Sequence, residues 1–111
     1  MNKLLNTIVT VLDSKKANDI TVIDFRNENP LCDSFVVCDA GSFRQINALA
    51  DDVIEELAKN DFPVRSVERQ EGSSWILIDA IDVVIHIFLS DDRHHYNLEK
   101  LYKDYIDEIV L

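Results

Sequence analysis

The stretch from Glu71 to Tyr102 (EGSSWILIDAIDVVIHIFLSDDRHHYNLEKLY) constrains the fold most. It reads as two apolar strands joined by a tight link between two aspartates, followed by a charged exit with paired histidines. It carries the only Trp and all three His of the chain. Side chains alternate sides along a strand. Ser74 to Asp79 therefore puts Trp75, Leu77 and Asp79 on one face and Ile76 and Ile78 on the other. Asp82 to Leu89 puts Val84, His86 and Phe88 on one face and Val83, Ile85, Ile87 and Leu89 on the other. Both faces of this hairpin are largely apolar, so both need cover. The chain's own helices supply one cover; a partner is a candidate for the other.

A chain of 111 residues with 47% hydrophobic side chains can form one domain around a real core. Two Gly and two Pro leave room for mostly regular elements with short connections. Eleven basic residues against 21 acidic ones give a formal charge of −10. That balance disfavours direct nucleic-acid contact, where Lys and Arg neutralise phosphate, and disfavours anionic membrane surfaces. It serves solubility, and it suits a basic partner. Cys32 and Cys38 are the only cysteines, with no CxxC and no zinc-ligand spacing. Cys38 ends an apolar run and reads as a buried thiol. No signal-peptide pattern is visible, and no apolar run approaches the roughly 20 residues of a membrane span. The expected setting is cytoplasmic and reducing.

Asn2 to Lys16 places Leu4, Leu5, Ile8, Val11 and Leu12 at helical spacing, with Asn2 as cap and Lys15 and Lys16 at the end. Ile20 to Phe25 and Ser34 to Cys38 read as strands on either side of a polar loop broken by Pro30. Ser42 with Gln45 three residues on is a capping box. It opens a helix whose stripe is Ile46, Leu49, Ala50, Val53, Ile54 and Leu57, ended by Asn60 and Pro63. Val64 to Glu68 is a weaker strand at or near an edge. After the hairpin, Ser90 is a candidate cap for a short turn. Asn97 is a candidate cap for a longer helix with Leu98, Leu101, Tyr102, Tyr105, Ile106 and Ile109 on one side. The order α-β-β-α-β-β-β-α predicts an α/β domain spanning residues 1–111, with one mixed five-stranded sheet and flanking helices.

Asp79 and Asp82 bracket the link Ala80–Ile81. Paired carboxylates can bind metal or do acid–base work, but Asp is also an ordinary turn residue that bonds to nearby backbone. His94 and His95 adjoin Asp91 and Asp92. Neighbouring histidines on a helix diverge, and only Asp91 with His95, four residues apart, points one way. His86 sits mid-strand, either as a packed histidine or as a partner-facing group. Gly41-Ser42 ahead of Asp51 and Asp52 has the composition of a nucleotidyltransferase site. That chemistry needs acids side by side, whereas neighbours on a helix splay by about 100°. No phosphate loop, GxSxG or Cys–His nucleophile pair is present.

Four stretches together resemble the ribosomal silencing factor, or Iojap-like, family: Ala17 to Asp24 (ANDITVID), Asp33 to Ala50 (DSFVVCDAGSFRQINALA), Glu71 to Phe88, and Arg93 to Tyr102. Their order and spacing carry the match, which covers nearly the whole chain. The resemblance implies a small α/β domain with a mixed sheet, similar to nucleotidyltransferases but without their catalytic acids. It implies no catalysis and no cofactor. It implies binding to a basic ribosomal protein on the large ribosomal subunit, at the face that meets the small subunit, so that subunit joining is blocked and translation damped.

The family pattern falls on Asp33, Phe35, Ser42, Arg44, Gln45, Trp75, Asp79, Asp82, His86, Arg93, Tyr96, Leu98 and Glu99. The expected partner-binding residues are Trp75, Leu77, Asp79, His86, Phe88, Arg93, Tyr96 and Glu99. Trp75 and Tyr96 are the anchors, since Trp and Tyr are enriched at binding hot spots. Asp79 and Glu99 are candidates for basic partner residues. One position departs from the family, which places Gly between the two aspartates of the link. Here that position is Ile81, and a β-branched residue resists positive φ. The link is expected to use another turn or to carry strain. Two readings from other classes stand beside this one: a nucleotidyltransferase-like enzyme acting on a nucleotide or phosphate, and a module that self-associates into a homodimer through the apolar face of Trp75, Leu77, Val84 and Phe88.

Overall fold

Asn2 starts the first helix as its position predicts: its side chain accepts the Leu5 N–H at 2.7 Å. The structure, a computed structural model, describes residues 2–107. Helix α1 (Lys3–Ser14) buries Leu5, Ile8, Val9 and Leu12. Helix α2 (Phe43–Lys59) buries Ile46, Leu49, Ala50, Val53 and Leu57, and Ser42 Oγ accepts the Gln45 N–H at 3.1 Å. Each such cap contributes about 1 kcal/mol by satisfying a backbone donor the helix leaves open.

The strands are β1 (Asn18–Asp24), β2 (Ser34–Ala40), β3 (Ser66–Glu68), β4 (Trp75–Asp79), β5 (Val83–Leu89) and β6 (Ile106–Asp107). They form a mixed sheet in the order β3-β4-β5-β2-β1-β6. Among the described residues only the β2–β5 pair is parallel. The helices α1 and α2 pack on one face, against Val36, Cys38, Ile76, Ile78, Val83, Ile85 and Ile87. Of these, Ile76, Ile78, Val83, Ile85 and Ile87 are the hairpin residues that alternation puts opposite the face of Trp75 and His86. Cys38 is sealed there, and burial pushes its thiol up to about 12 despite the nearby Arg93.

The C-terminal part departs from expectation. The sheet has six strands, not five. Ser90 begins α3 (Ser90–Tyr96) as a helical residue, not as its cap, and its hydroxyl instead donates to Asp39 Oδ1 at 2.6 Å. Asn97 takes left-handed backbone, φ 43°, which ends α3 and isolates α4 (Leu98–Leu101). Asn tolerates that conformation because its short side chain bonds locally, here to the Lys100 N–H at 3.3 Å. A 3₁₀ turn (Lys103–Tyr105) follows, and Ile106 and Asp107 pair with Ile23 and Val22. The open edge of β1 offers unpaired backbone groups, and these capture the segment as strand where apolar spacing predicts helix. Ile109 lies outside the described residues.

Ile81 lies in the tightest link of the chain. It has φ 72°, and the Asp82 N–H donates to the Ala80 carbonyl at 2.9 Å, closing a γ-turn across it. The Ile81 N–H is held by Asp79 Oδ1 at 2.9 Å. The strain expected of Ile at a glycine position is therefore present. A β-branched residue at positive φ is disfavoured by about 1–2 kcal/mol. Ile81→Gly should stabilise the protein by about 1 kcal/mol, because relief of strain exceeds the added entropy of the unfolded chain. Urea unfolding checks this; a less stable variant would mean that the half-covered Ile81 side chain matters more than its backbone.

Candidate functional site

The other face of the sheet collects aromatic side chains from distant segments. Strand register sets Trp75 opposite Phe88, Leu77 opposite His86 and Asp79 opposite Val84. Register also sets Phe35 beside Val84 and Val37 beside His86. Rings run across this face in near-continuous contact. Tyr96 lies 4.5 Å from Trp75 and 5.3 Å from Phe88. His86 lies 4.5 Å from Phe35, which lies 4.9 Å from Phe25, and Phe25 meets Tyr102 at 5.2 Å. The C-terminal residues Leu98, Tyr102 and Tyr105 cover the half built on Ile23, Phe25, Val37 and Phe88. The half built on Leu77, Val84 and Trp75 is only partly covered, and Tyr96 on its border is 45% exposed.

Trp75 and His86 are locked together. Trp75 Nε1–H donates to His86 Nδ1 at 3.1 Å. A neutral imidazole that accepts at Nδ1 carries its proton on Nε2. His86 is 4% exposed, and burial lowers its pKa to about 4, since removing water penalises the charged form.

A second constellation ties the C-terminal segment to the sheet. Arg93 is 5% exposed. Its guanidinium donates to Asp39 Oδ2 at 2.7 Å and to Glu99. It also reaches the Asn18 carbonyl at 3.3 Å and Thr21 Oγ1 at 3.2 Å. A bulge between Asn18 and Thr21, with Asp19 at φ 48°, aims both at the arginine. Burial raises the Asp39 carboxyl, but the Ser90 hydroxyl and Arg93 more than offset it, and the group sits below its usual range. Burial likewise disfavours the Arg93 charge, and Asp39 and Glu99 restore it.

The eight expected contact residues fall on this one face or its border, in two groups. Trp75, Leu77, Asp79 and Glu99 are half-buried and Tyr96 is exposed. His86, Phe88 and Arg93 are buried by the chain's own atoms, so as it stands they support the face from beneath. The two carboxylates already carry arginines of this chain: Glu99 carries Arg93, and Asp79 Oδ2 carries Arg65 at 2.9 Å. Asp79 is thus a turn-former and ion-pair partner, and Asp82 is exposed. His94 and His95 are exposed on α3, with His95 3.8 Å from Asp92. Asp51 and Asp52 lie in α2, and Asp51 pairs with Arg69 at 2.8 Å. Among the described residues no three or more His, Cys, Asp or Glu gather as a metal site, and no helix is long and apolar enough to cross a membrane.

Sequence reasoning passed over Asp39 and Arg65. Asp39 had a signal: a lone acid ending the apolar run SFVVC, at a position whose strand neighbours are buried, needs a buried cation. Arg65 had none, since its partner Asp79 is set by the pairing of β3 with β4.

Comparison with known proteins agrees with this architecture. The family described as "Ribosomal silencing factor during starvation" matches residues 1–110. The ribosomal silencing factor of Bacillus subtilis is 34% identical over 101 residues, covering 91% of this chain and 86% of that protein. A mouse protein named for mitochondrial assembly of the ribosomal large subunit is 29% identical, over 88% of this chain and 44% of its own length. A crystal structure of a Bacillus halodurans protein superimposes with TM-score 0.84 at 32% identity, covering 96% of this chain and 98% of that one. With the whole fold, the hairpin and the C-terminal strap matched together, the chain belongs to the ribosomal silencing factor family.

Proposed function

We infer that the half-covered aromatic face binds the large ribosomal subunit through a basic ribosomal protein, and that the bound protein blocks joining of the small subunit and so represses translation. The observation that carries this reading is the exposed apolar border. Tyr96, Trp75 and Leu77 adjoin one another there, and nearby Leu31 is 80% exposed. Apolar patches of this kind mark interaction sites. A net charge of −10 steers the chain to a basic protein surface and away from phosphate. Trp75 and Tyr96 act as paired anchors with Leu77 beside Trp75 on β4, while His86, Phe88 and Arg93 hold the anchors in place. The same face is the surface for homodimerisation of the free protein, in competition with the ribosome, and action on ribosomes places the protein in the cytoplasm.

Trp75→Ala tests the reading. It should weaken co-sedimentation with Bacillus subtilis large subunits by about 30-fold, the equivalent of a 2 kcal/mol hot spot. Circular dichroism melts accompany it, because Trp75 also packs on Phe88. A folded variant that sediments like the wild type would remove Trp75 from the site. Asp51→Asn with Asp52→Asn should change neither readout, since exposed ion pairs contribute little. Triphosphate or magnesium binding that this double variant abolishes would favour the nucleotidyltransferase-like enzyme instead.

A further inference from the structure

Beside the aromatic row lies a cavity of about 340 Å³, open on the uncovered half of the face. Its apolar lining comes from Leu31, Phe35, Leu77 and Val84, and its rim carries Arg65, Glu68 and Asp79. His86 also lines it. Trp75, which holds the Nδ1 edge of that ring, is not among the residues that line the cavity. The Nε2 atom is fully buried and has no hydrogen-bond partner among the described residues. A buried donor left unpaired is destabilising, and such groups in native proteins have a reason.

The chemistry of an occupant follows from these walls. Because Nδ1 is taken, the ring offers a donor only, and the occupant must present an acceptor. Arg65 and Asp79 on the rim offset each other as an ion pair; Glu68, with the charge of −10, disfavours an anion, and the apolar walls penalise any charge. A neutral carbonyl oxygen remains. Phe35 and Leu77 are half-buried beside the ring, so seating an acceptor on Nε2 requires one of them to move aside.

We propose that this cavity seats a carbonyl oxygen of the basic ribosomal protein on His86 Nε2–H, with an apolar side chain of that protein against Leu77 and Val84. The proposal rests on the reading of this face as the ribosome-binding one, and it makes His86 a specificity-determining contact beneath the aromatic anchors. Glu68 and the net charge attract the basic partner; the buried donor fixes its register.

Three variants test it by co-sedimentation with purified Bacillus subtilis large subunits at pH 7, each with a thermal melt. His86→Phe removes the donor and keeps the ring, and should weaken binding by about tenfold or more, a step of 1.4 kcal/mol. His86→Gln keeps an N–H donor beside an acceptor for Trp75, and should recover most of the binding. Val84→Phe fills the cavity while leaving His86 itself in place, and should weaken binding while the protein stays folded. Recovery by Gln separates hydrogen bonding from mere packing, and Val84→Phe decides the matter if His86→Phe does not fold. If the wild type sediments with the subunit and His86→Phe or, failing its folding, Val84→Phe binds equally well, the cavity holds only solvent and the proposal is overturned. If the wild type itself does not sediment with the subunit, the ribosome-binding reading fails and takes this contact with it.

Discussion

Arg93→Ala is expected to destabilise the protein by about 3–5 kcal/mol, which for a chain of this size lowers the melting midpoint by well over about 10 °C. The reason is the charge left behind. Asp39 is 5% exposed, and without the guanidinium it keeps only neutral side-chain partners, the Ser90 hydroxyl and Asn18. The same change frees α3 and α4 from the sheet, because Arg93 is the clasp between Asp39 on β2, Asn18 and Thr21 on β1, and Glu99 on α4. Replacing both members, Arg93→Met with Asp39→Leu, should recover much of the loss, since an apolar pair of similar volume is often as stable as a buried ion pair. Half-buried Glu99 can then turn to water. Urea unfolding of the three proteins checks this; an Arg93→Ala variant within about 1 kcal/mol of the wild type would show that water reaches the network. The Asp39 carboxyl sits below its ordinary value, so its contribution is complete above about pH 4 and is lost as pH falls further.

His86 should make stability fall in a higher window. Its folded pKa is about 4, against an ordinary value of 6.5. Above pH 6.5 both states hold the ring neutral, and the full stability is present. Between the two values only the unfolded chain takes up the proton, so stability drains as pH falls. The loss attributable to this one group is about 2 kcal/mol at pH 5 and approaches 3 kcal/mol near pH 4. The measurement is the difference between wild type and His86→Phe in urea unfolding at pH 7 and at pH 5. The subtraction removes the carboxylates, whose repulsion at −10 changes over the same range. A constant difference between the two proteins across that range would show that the ring is solvated in the folded state. Protonation of the folded ring, near pH 4, also ends the role of Nδ1 as acceptor for Trp75, so the Trp fluorescence of the folded protein should shift there and not between pH 6.5 and 5.

Local periodicity alone determined which side chains share a face. Alternation in Ser74 to Asp79 and Asp82 to Leu89 put Ile76, Ile78, Val83, Ile85 and Ile87 together. It also put Trp75 and Leu77 with Val84, His86 and Phe88, and the register agrees. The caps Asn2 and Ser42, the stripes of α1 and α2, and β3 at the sheet edge were legible for the same reason: their energetics act within a few residues. The family resemblance was legible because it depends on order and spacing along the chain.

Only the tertiary structure decided what covers the second face. Apolar spacing from Leu98 to Ile106 fits a helix, yet Asn97 breaks it and β1 captures Ile106 and Asp107 as strand. That outcome depends on an open edge more than 80 residues away in sequence, which no local pattern encodes. Phe88, His86 and Arg93 share their burial with this segment and its partners, so their depth was equally hidden. Arg93 looks from sequence like one more exposed charge on a polar helix. It is buried because Asp39, at the end of β2, waits beneath it, and burying a charge is tolerable only where a distant segment supplies the opposite one.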